Sequence, residues 1–159
     1  MNLNQMQKKE KKIIRVKYEI NADEIVLMFF GHEFRKKGLE FVIRALPLVK
    51  EDVKSLIAGR DNPTYYKRLA LKFGVLDKVI FAGFVSGISE YFAAFDIFVF
   101  PTAYEVFSLV TLEAVASGLP ILATKVNGTE ELIKEGYNGF FIRRDPNDIA
   151  EKNKYPYRG

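Results

Sequence analysis

Two carboxylates, Glu105 and Glu113, stand eight positions apart in the segment YEVFSLVTLEAVASGLP at 104–120. They flank the start of a predicted helix, for which Ser108 is a natural N-cap and Gly118 a C-terminal stop. Glu113 falls inside this helix among apolar and small neighbours, where burial of an unpaired carboxylate would be costly. Sugar hydroxyls would relieve that cost, so we predict that Glu113 binds a ribose and that Glu105 binds the hydroxyls of another sugar. The alternative is a surface acid that complements the helix dipole at 105 and a partly solvated acid at 113.

The first turn of this helix also offers backbone donors. No Glu or Gln occupies its third position, so no capping box binds the amides of the turn. We therefore expect the N–H groups of the first turn, Leu109, Val110 and Thr111, to be available to the oxygens of a ligand.

A cationic cluster follows the first predicted strand. Arg35, Lys36 and Lys37 lie between Gly31 and Gly38 in the segment GHEFRKKG. Cations next to a helix start suit phosphate oxygens, and the alternative is a solvated basic loop. The segment matches neither a Walker A loop nor the G-x-G-x-x-G dinucleotide fingerprint, which argues against classical ATPases and NAD enzymes.

The loops after the next two predicted strands carry weaker signals. GRDNP offers Gly59 for close backbone approach and Arg60 as a further cation. GFVSG offers backbone groups around Gly83 and the ring of Phe84 as an edge for a flat base. Turn chemistry alone would also explain these residue types.

Short apolar runs alternate with helical patterns along the chain. We predict strands at 24–30, 53–59, 78–83, 96–101, 120–125 and 139–142, and helices at 38–49, 64–74, 88–95, 108–118 and 128–135. Strands that are nearly continuous in Val, Ile and Phe are typical of a parallel sheet covered on both faces. The predicted fold is therefore doubly wound α/β, with about six strands and a ligand site at their carboxyl ends.

Composition limits the classes of function. The 159 residues suit one folded domain, the absence of cysteine excludes thiolate metal sites and a cysteine nucleophile, and the single histidine, His32, disfavours a multi-histidine metal site or a catalytic triad. Residues 1–17 carry a net charge of +5 and the remainder −1, so the body is not a nucleic-acid binder. The basic segment is expected to be a solvated helix or arm, with peripheral contact to anionic lipid as the alternative. No apolar run suits a membrane helix or a signal peptide, so a cytoplasmic location is expected.

The motifs resemble those of one enzyme family. E-V-F-S-L-V-T-L-E-A-V-A-S-G-L-P-I at 105–121 is similar to the E-x7-E signature of retaining GT-B glycosyltransferases, the group 1 family, in their C-terminal donor-binding domain. F-R-K-K-G, L-I-A-G-R-D-N-P, F-A-G-F-V and N-G-T-E-E-L-I-K-E-G-Y-N-G-F follow the family's order over 24–148. The G-x-D-x-P and F-x-x-K-G variants look most like the lipopolysaccharide-core glucosyltransferase branch.

The resemblance implies a role for each matched residue. Lys37 would stabilise the leaving diphosphate as a catalytic residue, and Glu105 would contact the transferred hexose. The implied donor-binding set is Gly31, Arg35, Lys36, Lys37, Gly59, Arg60, Gly83, Phe84, Glu105, Phe107, Ser108, Leu109 and Glu113. The substrate would be a nucleotide-sugar, with a UDP-sugar such as UDP-glucose favoured. No cofactor or metal is expected, because the chain has no D-x-D motif and the family generally needs no divalent ion.

The resemblance covers only the donor half of a two-domain enzyme. We divide the chain into a basic segment at 1–22, a nucleotide-sugar-binding domain at 23–148 and an irregular tail at 149–159. Turnover is expected to need an acceptor domain on a partner chain, and transfer would build a polysaccharide or lipopolysaccharide. The alternative is a nucleotide or nucleotide-sugar binding module without turnover. Two departures from the family pattern are His32, where many relatives have Arg, and Ser108, where many have Gly.

Overall fold

The computed structural model describes residues 2–154 and has a parallel sheet at its centre. The strands are β1 (Ile25–Phe30), β2 (Val53–Ala58), β3 (Val79–Gly83), β4 (Ile97–Phe100), β5 (Ile121–Ala123) and β6 (Gly139–Phe141). They lie in the order β3-β2-β1-β4-β5-β6, and every neighbouring pair is parallel. The doubly wound α/β fold and its six strands are confirmed, each strand to within two residues at either end.

Helices cover both faces of the sheet. They are α1 (Leu3–Lys17), α2 (Phe34–Lys37), α3 (Leu39–Ala45), α4 (Thr64–Lys72), α5 (Ile88–Ala94), α6 (Leu109–Ala116), α7 (Asn127–Glu130) and α8 (Pro146–Lys152). Side chains alternate along β1, so that Leu27 and Phe29 pack with α3, α4 and α8, whereas Val26 and Met28 pack with α1, α5 and α6. This two-sided burial explains why the strands are apolar throughout.

The predicted helix at 38–49 is wrong at both ends. Helical structure begins earlier, at Phe34, and Gly38 interrupts it with a left-handed φ of 87°. A β-carbon on Gly38 would lie 2.3 Å from the carbonyl oxygen of Pro101, so this glycine lets the turn after β1 lie against the end of β4. The second helix ends at Ala45, and Pro47 lies in the 3-10 turn Leu46–Leu48 that follows, because proline cannot continue an α-helix.

The prediction for the N-terminal segment, a solvated helix, is confirmed in part, and the prediction for the C-terminal tail is wrong. The basic segment forms α1, whose C-terminal end is docked, with Ile14 and Arg15 buried. Residues 149–152, predicted to be irregular, belong to α8, because Asp145 caps this helix and Ile149 is fully buried in the core. Residues 155–159 of the predicted tail lie outside the described residues.

Candidate functional site

The order of strands reverses between β1 and β4, and this is where an open α/β sheet forms its ligand crevice. The loops that leave these two strands are joined by a hydrogen bond from the Ala103 N–H to the Lys36 carbonyl, at 2.9 Å. Between them lies a cavity of about 210 Å³. Six of the predicted residues line it, namely Gly31, Lys37, Glu105, Phe107, Ser108 and Leu109.

An ion pair forms part of the wall of this cavity. The Lys37 Nζ lies 2.5 Å from the Glu105 Oε1, and the two side chains are only 15% and 12% exposed. The Lys37 ammonium also lies 5.7 Å from the centre of the Phe100 ring, a cation–π contact. Gly31 makes room for the lysine stem, because a β-carbon there would lie 2.7 Å from the Lys37 Cγ. The pair therefore holds one cation and one carboxylate in fixed positions at the carboxyl end of the sheet.

The loop around Glu105 is fixed by residues that the sequence analysis did not identify. The buried Thr102 hydroxyl lies 3.2 Å from both the Glu105 Oε1 and the Tyr104 carbonyl. The Thr102 carbonyl in turn accepts a 2.5 Å hydrogen bond from Thr124. Gly128 packs so closely that a β-carbon would lie 2.5 Å from the Glu105 Cβ. No local pattern could have predicted these contacts, since Gly128 is distant in sequence and Thr102 resembles any threonine after a strand.

The start of α6 has the predicted cap. The Ser108 Oγ accepts a hydrogen bond from the Thr111 N–H at 3.2 Å, and both residues are buried. The N–H groups of Leu109 and Val110 have no acceptor among residues 2–154. Because both residues line the cavity, these donors and the positive end of the helix dipole are available to an anion.

The apolar and small residues next to Glu113 in the sequence predicted that it would be buried, but Glu113 is only partly buried. It is half-exposed, and its carboxylate has no hydrogen-bond donor or cation among the described residues. It does not line the cavity. It lies one turn beyond Leu109 and Val110 on the same helical face, where a ligand longer than the cavity would meet it.

A second cavity, of about 450 Å³, lies where β2 and β3 end, and four predicted residues line it, namely Gly59, Arg60, Gly83 and Phe84. The Arg60 guanidinium lies 4.9 Å from the centre of the half-exposed Phe84 ring. The Arg60 N–H donates to the Nδ1 of His32 at 3.1 Å, which joins this loop to the one after β1.

The close approach predicted at Gly59 is made to protein backbone. A β-carbon on Gly59 would lie 1.8 Å from the Gly31 carbonyl oxygen, at a φ of 145°. Asp61 has a structural role as well, because its Oδ2 accepts the Phe34 N–H at 2.8 Å and so holds the first residue of α2.

The cationic cluster does not converge on one point. Arg35 and Lys36 line a separate groove of about 1090 Å³ that also includes Tyr65 and Arg144. Lys36 pairs with Glu33 at 3.8 Å and lies 5.5 Å from the centre of the Tyr104 ring. Consecutive residues of a helical turn point about 100° apart, so the three adjacent cations leave α2 in different directions. Of the three, only Lys37 faces the cavity with Glu105.

No helix in residues 2–154 has the length and apolar character needed to cross a bilayer. The same described residues contain no cluster of three or more His, Cys, Asp or Glu that could hold a metal ion.

Comparison with known proteins identifies the family. Residues 10–155 match the description "Glycosyl transferases group 1". The chain belongs to this family. Among its relatives, an uncharacterized glycosyltransferase of Methanocaldococcus jannaschii is 37% identical over 82% of this chain and 35% of its own length. The lipopolysaccharide glucosyltransferase WaaG of Escherichia coli is 32% identical over 83% of this chain and 36% of its own length.

One solved structure that is similar to this chain contains bound ligands. Anabaena HepE in complex with UDP and glucose superposes with a TM-score of 0.82 at 27% identity, over 90% of this chain and 41% of HepE. The present chain thus spans about a third of the length of the curated group 1 relatives it matches. These matches confirm the resemblance drawn from the motifs, including the similarity to a lipopolysaccharide glucosyltransferase.

Proposed function

We propose that this chain is the donor-binding domain of a retaining glycosyltransferase, which transfers a hexose from a UDP-sugar to a glycan or lipid-linked glycan. The observation that carries the proposal is the cavity at the strand-order reversal, where Lys37, Glu105 and the first-turn amides of α6 surround one space. Family membership supports glycosyl transfer, and the structural match to HepE with UDP and glucose supports the choice of donor.

The diphosphate of the donor would lie between Lys37 and the start of α6. In transfer, the bond between the anomeric carbon and the phosphate oxygen breaks as the acceptor hydroxyl forms the new glycosidic bond. The hydroxyl proton passes to the departing phosphate, and the new bond forms on the same face of the sugar. Negative charge that develops on the leaving UDP would be stabilised by the Lys37 ammonium and the N–H groups of Leu109 and Val110.

The sugar hydroxyls would be bound by the two carboxylates. The Glu105 carboxylate is paired with Lys37, and its oxygens could accept hydrogen bonds from the hexose while the lysine contacts the phosphates. The Glu113 carboxylate accepts no hydrogen bond from residues 2–154, and the two hydroxyls of a ribose would supply the missing donors. The base would enter the second cavity, beside Gly83 and Phe84.

We expect that no metal ion is needed, because the Lys37 ammonium and the first-turn amides of α6 would neutralise the diphosphate in place of a divalent ion. The acceptor would be bound by a second domain, as in the two-domain enzymes that the motifs resemble. Binding of the donor should therefore be measurable with this chain, and we expect it to persist in EDTA.

Titration calorimetry of the chain with UDP, GDP and ADP tests the proposal. Saturable UDP binding is expected, and Lys37→Ala should weaken it about 10- to 100-fold, the range for charge-assisted hydrogen bonds. Glu113→Ala should also weaken it. Lys36→Ala is the matched control. It removes an equal charge from the same helical turn, but Lys36 lines the groove with Tyr65 and Arg144 and not the cavity with Glu105.

Equal UDP affinity in wild type, Lys37→Ala and Glu113→Ala would refute the proposed site. Because Lys37→Ala leaves the buried Glu105 without its cation, the melting temperature of each variant is measured in the same samples. A folded wild-type chain that binds none of the three nucleotides would refute donor binding by this domain.

A further inference from the structure

Helix α1 has one face that docks on the domain. Near its C-terminal end, Ile14 and Arg15 are 8% and 4% exposed, and Lys11 is half-buried. Arg15 donates to the carbonyls of Ala94, Asn21 and Glu24 at 2.9 Å and pairs with Asp96 at 2.9 Å. Further toward the N-terminus the same face continues as Asn4 and Gln7, seven residues before Lys11 and Ile14, and these polar side chains are exposed.

Exposed apolar residues lie on the side of α1 that is turned away from the domain, where Leu3, Met6, Ile13 and Val16 are 69%, 46%, 57% and 66% exposed. These four residues, the outward apolar face, form two pairs at i, i+3 spacing, and Lys9, Glu10 and Lys17 lie on the same side of the helix. All residues from 2 to 10 are exposed, so the first half of the helix projects into solvent. A helix that is already docked on one side has no structural need for a second apolar face, which indicates a binding surface.

The charge on α1 indicates which kind of partner its outward face would bind. The helix carries Lys8, Lys9, Lys11, Lys12 and Lys17 with one acid, Glu10, and its first turn has no acidic residue. A second copy of the same helix would bring like charges together, and a nucleic acid would leave the apolar residues unused. A bilayer with anionic lipids offers both an apolar region and negative charge.

The position of α1 keeps the donor cavity open. Arg15 contacts Asn21, Glu24 and Asp96, which come just before β1 and β4, whereas the cavity lies beyond the carboxyl ends of the same strands. β1 has six residues, which separate the two ends by roughly 20 Å. A surface bound to α1 would therefore lie at the opposite edge of the sheet from the cavity.

We infer that α1 is an interfacial anchor, which binds an anionic bilayer through its outward apolar face with the lysines at the lipid headgroups. The inference is independent of the proposed donor site, because none of its residues lines either cavity.

Vesicle co-sedimentation of the 159-residue chain tests the anchor. The chain should bind vesicles of phosphatidylcholine mixed with phosphatidylglycerol and remain unbound with phosphatidylcholine alone, and added salt should weaken binding. Lys9→Gln with Lys12→Gln should reduce the partition constant roughly 30-fold, at about 1 kcal/mol for each lysine near the surface. Ile13→Ser with Val16→Ser should reduce it more than about tenfold through lost apolar burial.

Matched controls change equally exposed residues elsewhere. Lys50→Gln with Lys72→Gln removes the same charge, and Leu71→Ser with Leu76→Ser removes a similar apolar area; both pairs should bind vesicles like wild type. All four variants should keep wild-type UDP affinity, which separates failure of the anchor from failure of the donor site.

Several results would overturn the inference. These are equal binding to both vesicle types, absence of vesicle binding by the folded wild-type chain, and α1 variants that bind like their controls. Self-association that is lost in Ile13→Ser with Val16→Ser would assign the face to a second copy of the chain. Binding to RNA in the absence of vesicle binding would assign it to a polyanion.

Discussion

Gly128 packs against the loop that carries Glu105, and we expect its replacement by alanine to damage the donor site without removing any donor contact. The new β-carbon would lie 2.5 Å from the Glu105 Cβ and 2.9 Å from the Ser108 nitrogen. Neither contact involves the flexible end of a side chain. The φ of Gly128 is one that alanine adopts, so the effect comes from collision alone.

The size of the effect follows from these distances. An ordinary contact needs 3.4–4 Å, so the loop or α7 has to move by roughly 1 Å. α7 is held by the buried Thr129, whose hydroxyl donates to the Thr124 carbonyl, and the displacement therefore falls mainly on Glu105 and the start of α6. Overpacking costs about 1–3 kcal/mol of stability, and a misplacement of 1 Å in a site costs up to about 100-fold.

Calorimetry with UDP and UDP-glucose, together with urea unfolding, measures both effects. UDP-glucose affinity should fall more than UDP affinity, because Glu105 is proposed to contact the hexose. Gly118→Ala is the control: its φ of 73° makes alanine strained by about 1–2 kcal/mol, but a β-carbon there meets nothing within 4 Å. A Gly128→Ala variant that binds UDP-glucose like wild type would refute the argument, as would equal losses of affinity in both glycine variants.

Two further predictions concern stability. Arg15→Met should lower the free energy of unfolding in urea by about 3 kcal/mol, because Asp96 and three carbonyls lose their donor; a loss no larger than that of the exposed Lys12→Met would contradict this. Burial raises the pKa of Asp148, but the Arg143 N–H and the Lys152 ammonium outweigh it and lower the pKa below its ordinary value. Its stabilisation is therefore full above about pH 4 and lost as the pH falls through the lowered pKa, so the gap in unfolding free energy between wild type and Asp148→Asn should close in acid; a gap that persists would contradict the assignment.

The alternation of residue types was enough to predict the architecture. Strands buried on both faces must be apolar throughout, and helices that cover them must have one apolar face, so both patterns are local properties of the sequence. Ser108 was likewise predictable as a cap, because an N-cap depends on residues within three positions of each other. The motifs at 31–38 and 105–121 lie in two loops that line one cavity, because parallel strands place their carboxyl ends at one edge of the sheet.

The arrangement inside the site depended on tertiary structure. Arg35, Lys36 and Lys37 are adjacent in sequence, but a single turn of helix sends Lys37 to Glu105 and the other two to another groove. The degree of burial of Glu113 depends on the packing around α6, which its flanking residues do not reveal.

The sequence by itself determined the fold class, the family and the loops that form the crevice, because periodicity and motif order are written along the chain. Only the tertiary structure decided that Lys37 pairs with Glu105, that Gly128 and Thr102 position that acid, and that α1 keeps an apolar face turned outward. Apart from the bond between Thr102 and Glu105, which are three positions apart, each of these depends on contacts between residues far apart in the chain. Such contacts follow from how the strands and helices pack, and local pattern does not specify them.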